Sequence, residues 1–260
     1  MHSSERTPSL GHRLYSVWYR HVLVYTRNLV SNGLHPFMEP LVFLAGVGIG
    51  LGRYIVSMDG LPYLEFLATG LLITSSMYTS SFECTYGTFI RLEFDKVYDG
   101  MLAAPITVTD LLVGEILWAG TKGLFFSFAV LTMVTAFGIV PLGWSTAAPL
   151  VGFLTGLMFG SVSLLVTSFV KTINHFSFYF TGILSPMFFF SGVVFPVSSL
   201  PKVLQPLALA MPLYHPVVLA RALCTGQFHR GLWLHAAYTF LLTGLAGIAS
   251  VERLKKRLVQ

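Results

Sequence analysis

Arg91–Gly120 reads RLEFDKVYDGMLAAPITVTDLLVGEILWAG. Its first half is charged and amphipathic, Pro105 breaks it, and an apolar run begins at Leu111. The order is that of a short amphipathic helix, a proline break, a capping signal at Thr107 or Thr109, and the start of a long apolar helix. The chain on either side is almost free of charge. Such an element suits a membrane protein that something on one side must grip and push, and so points to a transporter driven by a separate engine.

Composition agrees with that reading. Hydrophobic residues make up 54% of the 260 and charged ones 10%, with mean hydropathy +0.72. A soluble domain carries about 25% charged residues, so the fold class expected is all-α and integral to a membrane. The net charge of +5 does not indicate nucleic acid, because the cations cluster at the ends of apolar runs, as topology signals do. Cys84 and Cys224 have no metal-type spacing and are expected as free thiols near opposite membrane faces. The opening MHSSERTPSL lacks the apolar core of a cleavable leader, so none is expected. No internal repeat is present, and residues 1–260 read as one domain.

A membrane helix needs ~20 mostly apolar residues. Six segments qualify: 36–56, 62–86, 112–139, 147–170, 175–195 and 231–251. With the N-terminus in the cytoplasm, only Arg53, Lys202, Arg221 and Arg230 of the 16 Lys and Arg fall outside, leaving 16 − 4 = 12 inside. That asymmetry puts both termini in the cytoplasm. Before the first span, residues 9–31 read as an interfacial helix. Leu10, Leu14, Val17, Trp18, Val22, Tyr25 and Leu29 form its apolar side, and Arg13, Arg20 and Arg27 the side turned to anionic lipid. The outer segment 196–230 is apolar but punctuated by Pro196, Pro201, Pro206, Pro212 and Pro216. It reads as two short helices dipping back into the membrane, with a start near Ser198 and Ser199 and a stop at Gly226.

Several motifs resolve into packing. Gly46/Gly50 and Gly48/Gly52 in the first span, and Gly152, Gly156 and Gly160 in the fourth, are small-residue pairs that admit a close neighbour. Gly114 to Lys122 only approximates a phosphate-binding loop. Five residues separate its glycines and the order is Thr-Lys, so ATP hydrolysis is not expected on this chain. Glu39, Glu65 and Glu83 lie at membrane depth, where an ionisable group is a functional candidate by default. Glu39 and Glu83 are the pathway or gate candidates; Lys122 is expected to snorkel to the headgroups. The fifth span is aromatic, and Phe188, Phe189 and Phe190 could line a path for sugar rings or simply pack against lipid. His215 joins the gate candidates. His175, His215, His229 and His235 make no i, i+4 ligand pair, and no metal is expected. On a helix over 91–104, Phe94, Val97, Tyr98 and Met101 gather on one side and Asp95, Lys96 and Asp99 on the other, with Gly100 as a weak point. That mixture suits a protein contact better than anionic lipid.

Two stretches carry a family resemblance. FECTYGTFIRLEFDKVYDGMLAAPITVTDLLVGEILWAGTK, residues 82–122, and SPMFFFSGVVFPVSSLPKVLQPLALAMPLYHPVVLAR, residues 185–221, resemble the membrane subunits of type-2 ABC exporters. Within that superfamily the chain is most similar to the permeases of lipo-chitooligosaccharide nodulation-factor exporters. Related permeases export capsular polysaccharide, O-antigen, teichoic acid and drugs. The resemblance implies that Phe94–Ala104 is a coupling helix docked on an ATP-binding subunit, with Phe94, Asp95, Lys96, Val97, Tyr98, Asp99 and Met101 at the contact. It implies two permeases working with two ATPases, whose nucleotide and magnesium sit on the partner. The expectation is a homodimeric permease in a bacterial inner membrane that moves an amphiphilic, lipid-linked or acylated glycan. A hydrophobic small molecule or drug is the alternative cargo; a secondary transporter or an intramembrane enzyme is the remoter one.

Overall fold

The computed structural model describes residues 8–28, 37–38 and 40–258; Glu39 lies outside them. The chain opens with α1, Leu10–Thr26, followed by α2, Pro40–Gly52, which contains a π turn at Leu44–Ile49. A two-stranded antiparallel hairpin then interrupts the helical pattern, β1 Ser57–Met58 against β2 Leu61–Pro62. Asp59 and Gly60 turn it with φ of 52° and 78°, the backbone that an Asp-Gly pair supplies to a tight hairpin. The hairpin was not expected, because its strands are too short for alternation to announce them.

From β2 the chain enters α3, Tyr63–Phe82. The helix does not stop near residue 86 as expected. It continues through two π turns, Glu83–Gly87 and Ile90–Phe94. The last is closed by the Asp95 N–H donating to the Ile90 carbonyl at 2.9 Å. From Tyr63 to Phe94 this rod is roughly 47 Å long, well beyond the ~30 Å thickness of a hydrocarbon core. A short α4, Val97–Leu102, leads to α5, Val108–Ala136. The start of α5 is settled at Thr107. The Asp110 N–H donates to the Thr107 hydroxyl, and the Thr107 N–H donates to the Asp110 carboxylate at 2.8 Å, a reciprocal cap. Next comes α6, Ala148–Phe169, entered through a 3₁₀ turn at Trp144–Ala147.

α3, α5 and α6 form the centre, and their small residues explain the closeness. A Cβ on Gly156 would lie 2.7 Å from the Ala119 carbonyl, and one on Gly123 2.6 Å from the Gly152 carbonyl. The Ser76 hydroxyl donates to the Gly123 carbonyl at 2.7 Å and the Ser80 hydroxyl to the Ala119 carbonyl at 2.9 Å. Where lipid offers no hydrophobic drive, such backbone approach and interhelical hydrogen bonding hold helices together. The glycines of α2 are less used: Gly48 meets Leu64, whereas Gly46 and Gly50 face open space.

The fifth apolar segment is a composite helix, α7, built from Phe176–Tyr179, a π turn at Phe180–Leu184, and Ser185–Phe190. After it come a 3₁₀ turn at Val197–Ser199, then α8, Gln205–Ala210, and α9, Tyr214–Thr225. Two short helices were expected here. The first begins at Gln205 rather than beside Ser198 and Ser199, and the second ends at Gly226 with φ 70°. The last helix, α10, Leu232–Leu258, outruns the expected span at its C-terminal end. Arg221, expected on the outer side, is half-buried and fully engaged. Its guanidinium donates to the Thr69 hydroxyl and the Phe66 and Gly192 carbonyls, and lies 3.8 Å from the Phe66 ring centre. It thereby fastens α9 to α3 and to the turn after α7.

The packing makes a prediction about two glycines. Gly156→Val would push a side chain into backbone that cannot rotate away, costing about 1–3 kcal/mol and lowering the temperature at which the detergent-purified protein unfolds. Gly46→Ala meets nothing within 4 Å and should leave that temperature unchanged. Equal tolerance at both sites would show that the α5–α6 approach is not tight.

Candidate functional site

At the end of the bundle where the tip of α3 meets the first turns of α5, charged side chains gather, with Glu115 and His21 buried and Glu83, Arg91 and Lys122 largely so. Arg91 Nη1 donates to Glu83 Oε1 at 2.7 Å, and Nη2 donates to Glu115 Oε2 at 2.7 Å. Lys122 Nζ donates to Glu83 Oε2 at 2.9 Å. His21 Nε2 stands 3.0 Å from Glu115 Oε1. The result is one chain, Lys122–Glu83–Arg91–Glu115–His21, crossing α5, α3, α5 again and α1. Each carboxylate oxygen faces its own nitrogen. Two carboxylates thus face two cations and one imidazole.

Local sequence explains how the chain closes. Glu83 and Arg91 share a helix, and Gly87 lies between them. A Cβ on Gly87 would come within 3.3 Å of Arg91 Nη1, so the missing side chain leaves room for the guanidinium to fold back. α1 is brought in by Gly114, where a Cβ would lie 2.4 Å from Val17 Cγ1. Trp18 Nε1 donates to the Thr121 hydroxyl at 2.9 Å, and Arg13 pairs with Asp110 at 2.9 Å. α1 is therefore not a free interfacial helix. Val17 and His21 are buried against protein, and Arg13 belongs to the protein-facing side rather than the lipid-facing one. Lys122 likewise does not snorkel; it turns inward to Glu83.

The segment expected as one helix over 91–104 is two pieces. Its break is Lys96, held at φ 51°. The resulting turn splits the expected apolar face of Phe94, Val97, Tyr98 and Met101. Phe94 is 62% exposed, whereas Tyr98 is only 1% exposed. Val97 and Met101 are half-buried, and Asp95, Lys96, Asp99 and Gly100 are exposed. Tyr98 packs with Leu92, Leu111 and Leu112, its hydroxyl buried without a hydrogen bond. Burial, reinforced by the Glu115 charge, pushes its phenol well above the ordinary value. Tyr98 is the root of this element and not part of an offered face.

The remaining candidates scatter. Phe188 is 8% exposed and packs edge-on against Phe43 and Phe189. Phe189 is 47% exposed, and Phe190 leans on Phe195. The three phenyl rings do not line one face. His215 is paired rather than isolated: its Nδ1 lies 2.9 Å from His235 Nδ1, and its ring stacks on Tyr238 at 3.7 Å. The pairing joins α9 to α10 across a separation that no helical spacing could reveal. His21, Glu83 and Glu115 bring potential metal-ligand atoms within 4.8 Å of one another. Arg91 and Lys122 already occupy those carboxylates, and a divalent ion added among two cations would be repelled. The donor set suits ion pairing, not a metal.

Glu115 and His21 were not singled out by sequence reasoning. The available signal was the recurrence of opposite charges near the same ends of consecutive apolar runs: Glu83 with Arg91, Glu115 with Lys122. A double-mutant cycle tests the arrangement. Glu115→Gln alone strands half of Arg91 and should cost about 3–5 kcal/mol. Arg91→Met with Glu115→Met removes one charge of each sign, leaves Glu83 with Lys122, and should cost clearly less than the sum of the singles. Additive losses in thermal stability would mean the charges act independently.

Residues 12–224 match the family described as ABC-2 type transporter. Nodulation protein J of Azorhizobium caulinodans is 36% identical over 173 residues, covering 66% of this chain and 68% of that protein. Nodulation protein J of Rhizobium meliloti is 32% identical over 183 residues, 69% of each. The inner membrane transport permease YadH of Escherichia coli is 26% identical over 177 residues, 67% of this chain and 68% of that one. With its apolar helices and the ion-locked α3 tip, the chain belongs to the ABC-2 type transporter family, as the membrane permease of an exporter that works with an ATP-binding subunit.

Proposed function

We propose that the chain is the membrane half of an ATP-driven exporter in a bacterial inner membrane, with six spans and both termini in the cytoplasm. Two copies assemble with two ATP-binding subunits, which carry the nucleotide, its magnesium and the hydrolysis. The observation that carries this reading is the exposed turn from Phe94 to Ala104, seated on the buried ion chain. A force applied to Phe94 or Asp99 reaches Tyr98, packed with Leu111 and Leu112 of α5, and along the backbone the α3 tip, where Arg91 joins α3 to α5. The contact surface differs from the expected one: Phe94, Asp95, Lys96 and Asp99 face outward, Val97 and Met101 support them, and Tyr98 anchors the loop. An exposed aromatic beside charges is the composition of a docking anchor with a polar rim.

The cargo is an amphiphile, a lipid-linked or acylated glycan. The similarity to nodulation-factor permeases supports this, as does the outward-facing Phe189 beside Phe190 on α7. The α8–α9 segment, broken by prolines and tied down by Arg221, serves as the outer gate. Its irregular backbone is satisfied by protein, as membrane depth demands.

Reconstitution with the cognate ATP-binding subunit tests the reading. The isolated chain should turn over no ATP. Phe94→Ala with Asp99→Ala should weaken capture of that subunit by about 30-fold, the loss of one interface anchor, while the unfolding temperature holds. Tyr98→Ala should instead lower the amount of folded protein. Unimpaired capture and export in the Phe94/Asp99 variant would place the engine elsewhere. Vesicles loaded with a labelled polyprenyl-linked glycan or with a hydrophobic dye then separate the glycan cargo from the drug-like one.

A further inference from the structure

The ends of α6 and α10 enclose an open groove of about 790 Å³. Lys171, Arg253, Lys256 and Arg257 line it against a single carboxylate, Glu252, and Leu165, Phe169 and Ala249 form its apolar part. The groove lies at the limit of the apolar spans. α6 ends at Phe169 with Val170 extended, and the apolar run of α10 gives way to charge at Glu252. We propose that this groove binds the phosphate headgroup of an anionic membrane phospholipid.

Three features separate it from charges that merely mark topology. First, three of its four cations are unpaired with any carboxylate. Among the described residues, Lys171, Arg253 and Lys256 have no carboxylate partner, although the Arg13, Arg91, Lys122 and Arg257 side chains do. Second, the groove is amphipathic. Phe169 is 57% exposed, and the Arg253 guanidinium lies 3.7 Å from its ring centre. Apolar surface therefore continues up to the cations, as an acyl chain and its headgroup require. Third, one wall is built. Arg257 donates to the Thr167 and Val170 carbonyls at 2.9 and 2.8 Å and to Glu93 at 2.8 Å. Those bonds hold α10 against α6 and against the tip of α3. Basic pockets between spanning helices at a headgroup level bind anionic lipid in this way. A soluble phosphate would gain nothing from Leu165 and Phe169. The inference rests on the chain lying in a membrane and not on the ATPase contact.

The full chain, purified through a tag without added charge, is reconstituted in nanodiscs of phosphatidylcholine with a minority of phosphatidylglycerol. Retained lipid is then counted by native mass spectrometry. Phosphatidylglycerol should be retained over phosphatidylcholine, and Arg253→Gln with Lys256→Gln should reduce that preference by about 30-fold, two basic contacts' worth. Lys171→Gln alone should reduce it by about five-fold. Absence of any preference in the native chain, or a preference surviving in the double variant, overturns the proposal. So does displacement of the lipid by millimolar glycerophosphate, which would make the groove a free-phosphate site. Capture of the ATP-binding subunit is measured on the same variants. Its loss with lipid retention unchanged would assign the groove to that subunit and refute the lipid site. Intact capture with no lipid retention would refute the lipid site and leave the exporter reading standing.

Discussion

A carboxylate taken out of water must be met by a cation or it will not stay charged, and the fold is arranged around two that are met. Glu83 and Glu115 each contact two nitrogens, and Arg91 is shared between them. Removing one member of such a set leaves a buried charge unpaired, a loss of about 3–5 kcal/mol, comparable to much of a domain's net stability. The chain of contacts crosses α5, α3 and α1, so these helices share one register. Sliding any of them by a single residue, ~1.5 Å along the axis, would break contacts that are 2.7 to 3.0 Å long. The fit of three helices thus depends on five side chains.

That dependence gives the exposed turn its mechanical meaning. A loop tethered only by its backbone would absorb a push by bending. Here the turn at Lys96 delivers Tyr98 into the protein, next to the ion chain, and the reciprocal cap at Thr107 and Asp110 fixes the turn's other end. Asp110 also receives Arg13, so α1 braces the same cap. The far side of α3 is held by Arg257 through Glu93. Displacement of the tip is therefore shared at once by α1, α5 and α10. At the opposite end, Arg221 and the His215–His235 pair do the corresponding work for α9, joining it to α3 and α10.

Much of this was legible in the sequence. Long apolar runs announce their helices whatever they pack against, so the helical character of the chain, the cap near Thr107, the stop at Gly226 and the close-packing role of Gly152, Gly156 and Gly160 could be read directly. The misreadings share one cause. A helical wheel assumes an uninterrupted α-helix, and π turns together with a left-handed Lys96 void that assumption between residues 83 and 97. Tyr98 was therefore placed on the wrong side, and the length of α3 was underestimated. Contacts between distant segments, such as His215 with His235 or His21 with Glu115, carry no local periodicity at all. Lys122 looked like a snorkelling lysine because its partner lies on another helix.

The two π turns in α3 also fix how many residues the rod must contain. Each accommodates one residue more than an α turn of the same height. Removing a single residue between Glu83 and Phe94 would let the helix relax to regular α geometry with its backbone bonds intact. A residue removed from the regular part of the rod, Tyr63–Phe82, has no such turn to absorb the change, and everything beyond it would rotate by about 100° about the axis. Arg91 would swing away from Glu115, and the turn at Lys96 would leave the rod from another side. Substitutions along the rod can be gradual in effect; changes in the length of its regular part are all-or-none. The rod works as a keyed shaft, in which angular position and not only reach determines whether the tip meets its partner.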